Sequence, residues 1–422
     1  MEQAIACHKA GQLAAAEDAY RAVIEADPGH AGANHNLGVI LVQTRRVEDG
    51  LAHLARAVKS DRNEQYYLSY ARGLLAAGRP DEALTALAHD ALLLDKWGNI
   101  LLAQERPKDA ARAYRQALAA DPNCAEAHYH LGSLLSETGH VAEGFEHFMR
   151  RAALVYGTGK RPATDEPDPP HKVKHDLAQR DFLWNGNPPA DAPLVPDMFV
   201  LADGARVEGP AVNPAHATPQ LVEDWRRSNP QMVVMDDFLT PEALTKLRAY
   251  CAGSTVWRKN YAAGYLGAAP EDGFACPLLA QIVEEIQVVF APILGGEKFR
   301  YLGAFKYDSE LCRGTNTHAD NSVINVNFYI APDDANLDPE SGGMEIWDVG
   351  APDLPAMRKL NASESAVHDF LKRANAKRTL IPHRANRALI FKSTLFHKTD
   401  NFKFKSDYVA RRINVSLLFG QF

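Results

Sequence analysis

Apolar positions in the first third of the chain carry a long period. Tyr20 and Leu54, and again Tyr114 and Phe148, stand about 34 residues apart. Leu87 lies near its expected place, but the step from it to Tyr114 is several residues short, so one helix pair is trimmed in the middle. Leu37-Gly38, Trp97-Gly98 and Leu131-Gly132 share one phase of the repeat, and Asp27-Pro28 and Asp121-Pro122 another. The pattern predicts about four or five helix pairs over residues 1 to about 155, each unable to bury its apolar face alone and therefore stacked on the next.

The texture then changes. From about Gly157 the chain is Pro-rich and irregular, as in Glu166-Pro167-Asp168-Pro169-Pro170 and Asn187-Pro188-Pro189, with a predicted helix around Lys172 to Leu183. Beyond it the period turns to two. Met232-Val233-Val234-Met235 reads as a strand, and Thr240 as cap with Pro241 opens a helix to about Ala252. Leu278, Ile282, Ile286 and Val289 mark a second helix, Pro277 to about Phe290, that braces a sheet. Ser322 to Ile330 alternates Ile324, Val326, Phe328 and Ile330 with Asn325, Asn327 and Tyr329; Arg387 to Phe391 is a short apolar strand, and Arg412 to Phe419 alternates again. Ala331 to Gly343 reads as a rim loop, either a substrate gate or a solvated connection. Asn361 and Glu364 have the spacing of a capping box for a helix to about Ala374.

Composition narrows the class. The 422 residues are 46% hydrophobic, with no run approaching the 18 apolar residues of a membrane span. A net charge of −7 gives no footprint for nucleic acid. Met1 to Ala4 does not begin a basic segment followed by an apolar core, so no secretory leader is expected. Cys7, Cys124, Cys251, Cys276 and Cys312 are odd in number and contain no CxxC pair, which fits reduced thiols in the cytoplasm.

The candidate chemistry lies near the C-terminal end. His318 and Asp320 in Thr317-His318-Ala319-Asp320-Asn321 stand two apart, hence on one side of a strand about 6.7 Å apart. With His397 from a neighbouring strand they can hold one face of a non-heme Fe(II), leaving three coordination positions open. Arg412, Asn414 and Ser416 share the polar face of the last strand. If that face lines a barrel interior, an unpaired guanidinium there calls for an acidic co-substrate. Arg411 competes with Arg412, since counting from Arg411 would turn Ile413, Val415 and Leu417 inward. His368 and His383 have no partner at ligand spacing and read as ordinary packing or surface residues.

These residues resemble the Fe(II)/2-oxoglutarate-dependent oxygenase superfamily: HxD, a distal His and an Arg shortly after it on the last core strand. The run Arg412-x-Asn414-x-Ser416 is similar to the RxNxT stretch of the AlkB-like branch, although Leu418 stands where that branch has a further Arg. The resemblance implies a double-stranded β-helix, of jelly-roll or cupin-like form, with His318, Asp320 and His397 on Fe(II). It further implies Arg412 or Arg411 on the distal carboxylate of 2-oxoglutarate and Tyr307 hydrogen-bonded to that co-substrate, with Asn325, Asn414 and Ser416, and also Asn327 and Tyr329, on the inward face. The implied reaction uses O2, converts 2-oxoglutarate to succinate and CO2, and hydroxylates a C–H bond; retention of Asp320 argues against a halogenase.

The N-terminal pattern resembles the tetratricopeptide repeat, whose LG, aromatic and terminal Pro positions these residues partly occupy. The expected fold is thus multidomain, an all-α superhelix followed by the β-helix with bracing helices. The expected domains are 1–155 for the repeats, 156–231 for the Pro-rich connector and 232–422 for the oxygenase domain. A peptide, protein or carrier-bound amino acid recruited through the groove is the expected substrate. A hydroxylase of a free small molecule, a catalytically silent adaptor that senses metal or 2-oxoglutarate, a cupin-type metalloisomerase and an AlkB-like repair enzyme are the alternatives. Neither nucleic acid nor membrane is an expected partner, and the oligomeric state stays open.

Overall fold

The computed structural model describes residues 1–159, 167–310 and 314–422. Glu166 and Cys312, named above, lie outside them. The chain divides into two compact units, Met1–Leu131 and Gly132–Phe422.

In the first unit the expected helix pairs are present, among them Ala31–Gln43 with Val47–Ser60 and Ala91–Ala103 with Pro107–Ala120. The recurring apolar landmarks Tyr20, Leu54, Leu87 and Tyr114 are all buried. The Gly phase marks the closest approach within each pair: a Cβ on Gly98 would sit 2.3 Å from the Tyr114 ring, and one on Gly38 would sit 2.7 Å from Leu54. The trimmed repeat is the helix Pro80–Leu87, of 8 residues where the corresponding helix Pro107–Ala120 has 14.

In the second unit the helix Val141–Tyr156 packs on the helix Pro277–Val289 and on the turn Pro270–Asp272. Tyr156 donates its hydroxyl to Asp272 at 2.7 Å, and Arg258 lies 3.9 Å over the Tyr156 ring. The strands are β1 (Met232–Met235), β2 (Lys259–Tyr261), β3 (Tyr265–Ala268), β4 (Phe299–Tyr307), β5 (Ile324–Tyr329), β6 (Met344–Gly350), β7 (Arg378–Ile381), β8 (Ala388–Lys392), β9 (Leu395–Thr399) and β10 (Ile413–Phe419). They form an antiparallel seven-stranded sheet in the order β1-β8-β5-β10-β4-β3-β2 and a three-stranded sheet in the order β7-β6-β9. A bridge between His318 and His397 adds a short fourth segment to the smaller sheet. From β4 onward the chain passes repeatedly from one sheet to the other, which is the winding of a double-stranded β-helix.

All six residues of β5 are buried. Phe328 packs outward against Phe238, with ring centroids 5.0 Å apart, and Phe238 in turn packs on Phe290 at the end of the helix Pro277–Val289. The polar face, Asn325, Asn327 and Tyr329, looks between the sheets. Two local expectations change. Thr240 gives its hydroxyl to Pro210 O at 2.9 Å and makes no side-chain cap. Asn361 ends the helix Leu354–Asn361, and Ser363 caps the following helix, Glu364–Arg373, because the Asn361 amide is drawn to another strand segment.

Candidate metal centre and its cavity

His318 and His397 face each other across a two-bond antiparallel bridge, His318 N to His397 O at 3.0 Å and His397 N to His318 O at 2.8 Å. Asp320 N donates to Ser393 O at 2.9 Å, which brings the carboxylate round to the same side. The pairing thus converts two stretches about 80 residues apart into one cluster. One ligand-capable atom from each of His318, Asp320 and His397 lies within 4.8 Å of the others. The separations to Asp320 are 3.8 Å from His318 Nε2 and 3.4 Å from His397 Nε2.

The ring tautomers follow from the backbone. Nδ1 of His318 meets Asn316 O at 2.8 Å and Nδ1 of His397 meets Leu395 O at 2.8 Å. A carbonyl only accepts, so Nδ1 carries the proton in each ring and Nε2 turns its lone pair to the cluster. Burial, then the neighbouring His397, pushes the His318 imidazole below its ordinary value. Burial alone would raise the Asp320 carboxyl, but His397, His318 and the Asn325 amide outweigh it and hold the group at about 2. The cluster therefore presents two imidazole nitrogens and one carboxylate to a common point.

A cavity of about 120 Å³ opens beside it. Tyr307, Asn325, Asn327, Asn414 and Ser416 all reach its wall together with His318, Asp320 and His397. Hydrogen bonds link these side chains to their neighbours. Asn325 donates to Asp320 Oδ2 at 2.8 Å and accepts from Ser416 Oγ at 3.1 Å, so it supports the carboxylate. Asn414 donates to Asn327 at 3.4 Å, and the Tyr307 hydroxyl pairs with Thr399 at 2.9 Å.

The two arginines separate cleanly. Arg412, 1% exposed, points between the sheets, its guanidinium carbon 4.6 Å from the Tyr307 ring and 5.3 Å from that of Tyr329. It donates to Gly342 O at 2.6 Å, Gly343 O at 3.1 Å and Asn414 Oδ1 at 2.9 Å. No carboxylate among the described residues pairs with it. Beside it both ring nitrogens of His383 are buried with no hydrogen-bond partner among the described residues. Arg411 faces the other way, onto the outer side of the large sheet beside Lys306 and Tyr408, and is not brought to the cluster.

Sequence reasoning passed over three residues here. Thr399 and Thr315 form a chain under Tyr307, with Thr399 N bonded to Thr315 Oγ1 at 2.9 Å. His383, read as ordinary, is 5% exposed beside Arg412; His368 lies in a surface groove with Trp347 and Asn375. The loop Ala331 to Gly343 is pinned by Leu337 N to Lys403 O at 2.7 Å and by Lys405 N to Ala335 O at 2.9 Å.

Residues 8–73 and 96–154 each match a family profile of the tetratricopeptide repeat, so the N-terminal part of the chain is built of tetratricopeptide repeats. Among solved structures, the chain is similar to a Pseudomonas putida prolyl-4-hydroxylase, with 14% identity over 49% of this chain and 99% of that one and a TM-score of 0.35. It is also similar to SnoK, a non-heme alpha-ketoglutarate-dependent carbocyclase from nogalamycin biosynthesis, with 14% identity over 50% of this chain and 87% of that one and a TM-score of 0.38. YrrB, a TPR protein with an unusual peptide-binding site, matches at 18% identity over 36% of this chain and 82% of that one, with a TM-score of 0.24. No curated protein matches. Among the described residues no helix is long and apolar enough to cross a membrane.

Proposed function

We propose that the second unit is an Fe(II)- and 2-oxoglutarate-dependent dioxygenase that hydroxylates a peptide, protein or carrier-bound amino acid recruited by the repeats. The supporting observation is the pairing of two features on one side of the sheet: a His-Asp-His set whose Nδ1 atoms both meet backbone carbonyls, and a buried guanidinium with no acid partner among the described residues. The donor set fits a divalent cation. Facial ligands about 2.1 Å from a metal stand about 3 Å apart, and the 3.4 and 3.8 Å separations to Asp320 lie a rotamer adjustment away.

On this reading His318, Asp320 and His397 would hold the iron, which when bound supplies the O2-activating chemistry. The chain's own part is positional. Arg412, with Tyr307 nearby, would anchor the distal carboxylate of 2-oxoglutarate, its guanidinium suiting a bidentate charge-assisted pair. The Asn325 amide keeps Asp320 ionised and aimed. Asn414 and Ser416 tie the arginine strand to β5. The proposal takes the repeats as 1–155, the connector as 156–231 and the catalytic domain as 232–422, in a reducing cytoplasm where Cys7, Cys124, Cys251 and Cys276 remain free thiols.

Succinate release with Fe(II), 2-oxoglutarate and O2, with His318→Ala as control, tests the reading. Uncoupled succinate formation that the variant abolishes is the expected result. Failure of Fe(II) or Co(II) to bind the wild type at all would leave a repeat protein with a silent β-domain.

A further inference from the structure

A second cavity, of about 280 Å³, lies on the outer face of the large sheet, on the opposite side from the metal cluster. Its floor follows from strand parity. Lys306 on β4 is paired in register with Ile413 on β10, and Arg411 precedes Ile413 by two residues, so all three share that face. The helix Pro241–Gly253 adds Arg248, whose Nε donates to Ile330 O at 2.5 Å.

Three cationic side chains therefore meet in one pocket, and two are deeply buried, Lys306 at 3% and Arg411 at 4% exposure. Neither makes a hydrogen bond or ion pair with any of the described residues. The acids whose field reaches Arg411, Asp308 and Glu310, are bridged by Lys174 at 3.2 and 2.8 Å. The Lys306 ammonium stands 3.5 Å over the Tyr408 ring. Such a contact offsets only part of the cost of burying an unpaired cation. The rest of the wall is apolar, and Phe182 and Val409 at the mouth are 40% and 56% exposed. A pocket with an apolar wall and a few converging charges is the usual form of a small-molecule site.

We propose that this cavity binds a small amphiphilic carboxylate, its head between Lys306 and Arg411 and its apolar body along Ile330, Pro332 and Val409. Burial, and then repulsion from Arg411, hold the Lys306 ammonium well below its ordinary range. The pocket has one polar end, at Lys306 and Arg411, and an otherwise apolar wall, which suits a small anionic head on an apolar body better than free phosphate. The assignment is independent of the proposed reaction at the metal cluster.

Calorimetry of the full chain with octanoate tests it, with 1-octanol and inorganic phosphate as comparison ligands. Octanoate is expected to bind at one site and both comparison ligands far more weakly. Lys306→Met and Arg411→Met are each expected to weaken octanoate by about tenfold or more. Ala249→Trp, at an exposed position on the wall, fills the cavity and should abolish binding. Because the lysine is unpaired, Lys306→Met should leave the melting temperature of the ligand-free protein equal or higher. No octanoate binding at millimolar concentration, equal binding of 1-octanol, tighter binding of phosphate, affinity unchanged in the variants, or a lowered melting temperature in Lys306→Met would each overturn the proposal.

Discussion

Asn361 grips both backbone groups of Ala319: its Oδ1 accepts from Ala319 N at 3.1 Å and its Nδ2 donates to Ala319 O at 2.8 Å. Ala319 separates His318 from Asp320, so one amide at the end of an inserted helix sets the orientation of two candidate ligands. Asn361→Ala is expected to lower Co(II) affinity by about tenfold, the usual range for a residue that orients metal ligands. Its effect on global stability should be only about 1 kcal/mol, since Asn361 is exposed and water can replace it. A Co(II) titration read beside a urea melt checks the split; a large loss of stability with unchanged metal affinity would make Asn361 merely structural.

Arg412 and Arg411 should separate in a 2-oxoglutarate binding assay. Arg412→Ala removes the guanidinium that faces inward and is expected to weaken the co-substrate by about 100-fold or more, the range for losing one partner of a buried charge pair. Arg411→Ala, on the opposite face, should weaken it far less. The reverse ranking would contradict the observed register of β10.

Burial, aided by the field of Arg412, pushes the His383 imidazole down to about 3. The unfolded chain takes up this proton near pH 6.5, and the folded chain does so only near 3. Stability from this residue is therefore complete above about pH 6.5 and declines as pH falls toward 3, by up to about 1.4 kcal/mol per unit. His383→Phe, set among Tyr329 and Phe404, should flatten the pH dependence of urea unfolding between pH 7.5 and 5. A variant as acid-sensitive as the wild type would locate the proton elsewhere.

The helix Val141–Tyr156 belongs to the second unit by packing, although it completes the repeat pattern. A chain beginning at Gly132 keeps the Tyr156 bond to Asp272 and the 6.0 Å contact between Phe145 and Phe299. A chain beginning at 158 loses both, together with about 2 kcal/mol for each large apolar side chain no longer buried. Thermal melts should rank the longer chain above the shorter by several degrees; equal melting temperatures would show the helix to be dispensable to the β-domain.

The His-Asp-His cluster was legible because its logic is local. Spacing of two puts His318 and Asp320 on one side, and the polar stripe Arg412, Asn414, Ser416 gave the inward arginine its parity. The repeats were legible for the same reason, each Gly phase facing an aromatic or leucine about 16 residues on. What escaped depends on contacts between segments tens of residues apart. Asn361 has the spacing of a helix cap, and only the insertion's return over the HxD turn draws its amide to Ala319. His383 has no ligand partner in sequence, and it is the β7–β8 connection folding over Tyr329 that buries it. Lys306 gains its setting only where β10, pairing Ile413 with it, brings Arg411 to the same face.

The large sheet keeps consecutive residues in separate compartments: Phe305 and Tyr307 border one cavity and Lys306 the other, as do Asn414 and Ile413. A slip of one residue in β10 would exchange the compartments, turning Arg412 outward and Arg411 into the chamber beside His318, Asp320 and His397. The amide and hydroxyl links between Asn414 and Asn327 and between Ser416 and Asn325 oppose such a slip. Two adjacent arginines of identical chemistry thus stand in unlike surroundings, and side-chain hydrogen bonds a few residues further along the strand help the backbone ladder to keep them there.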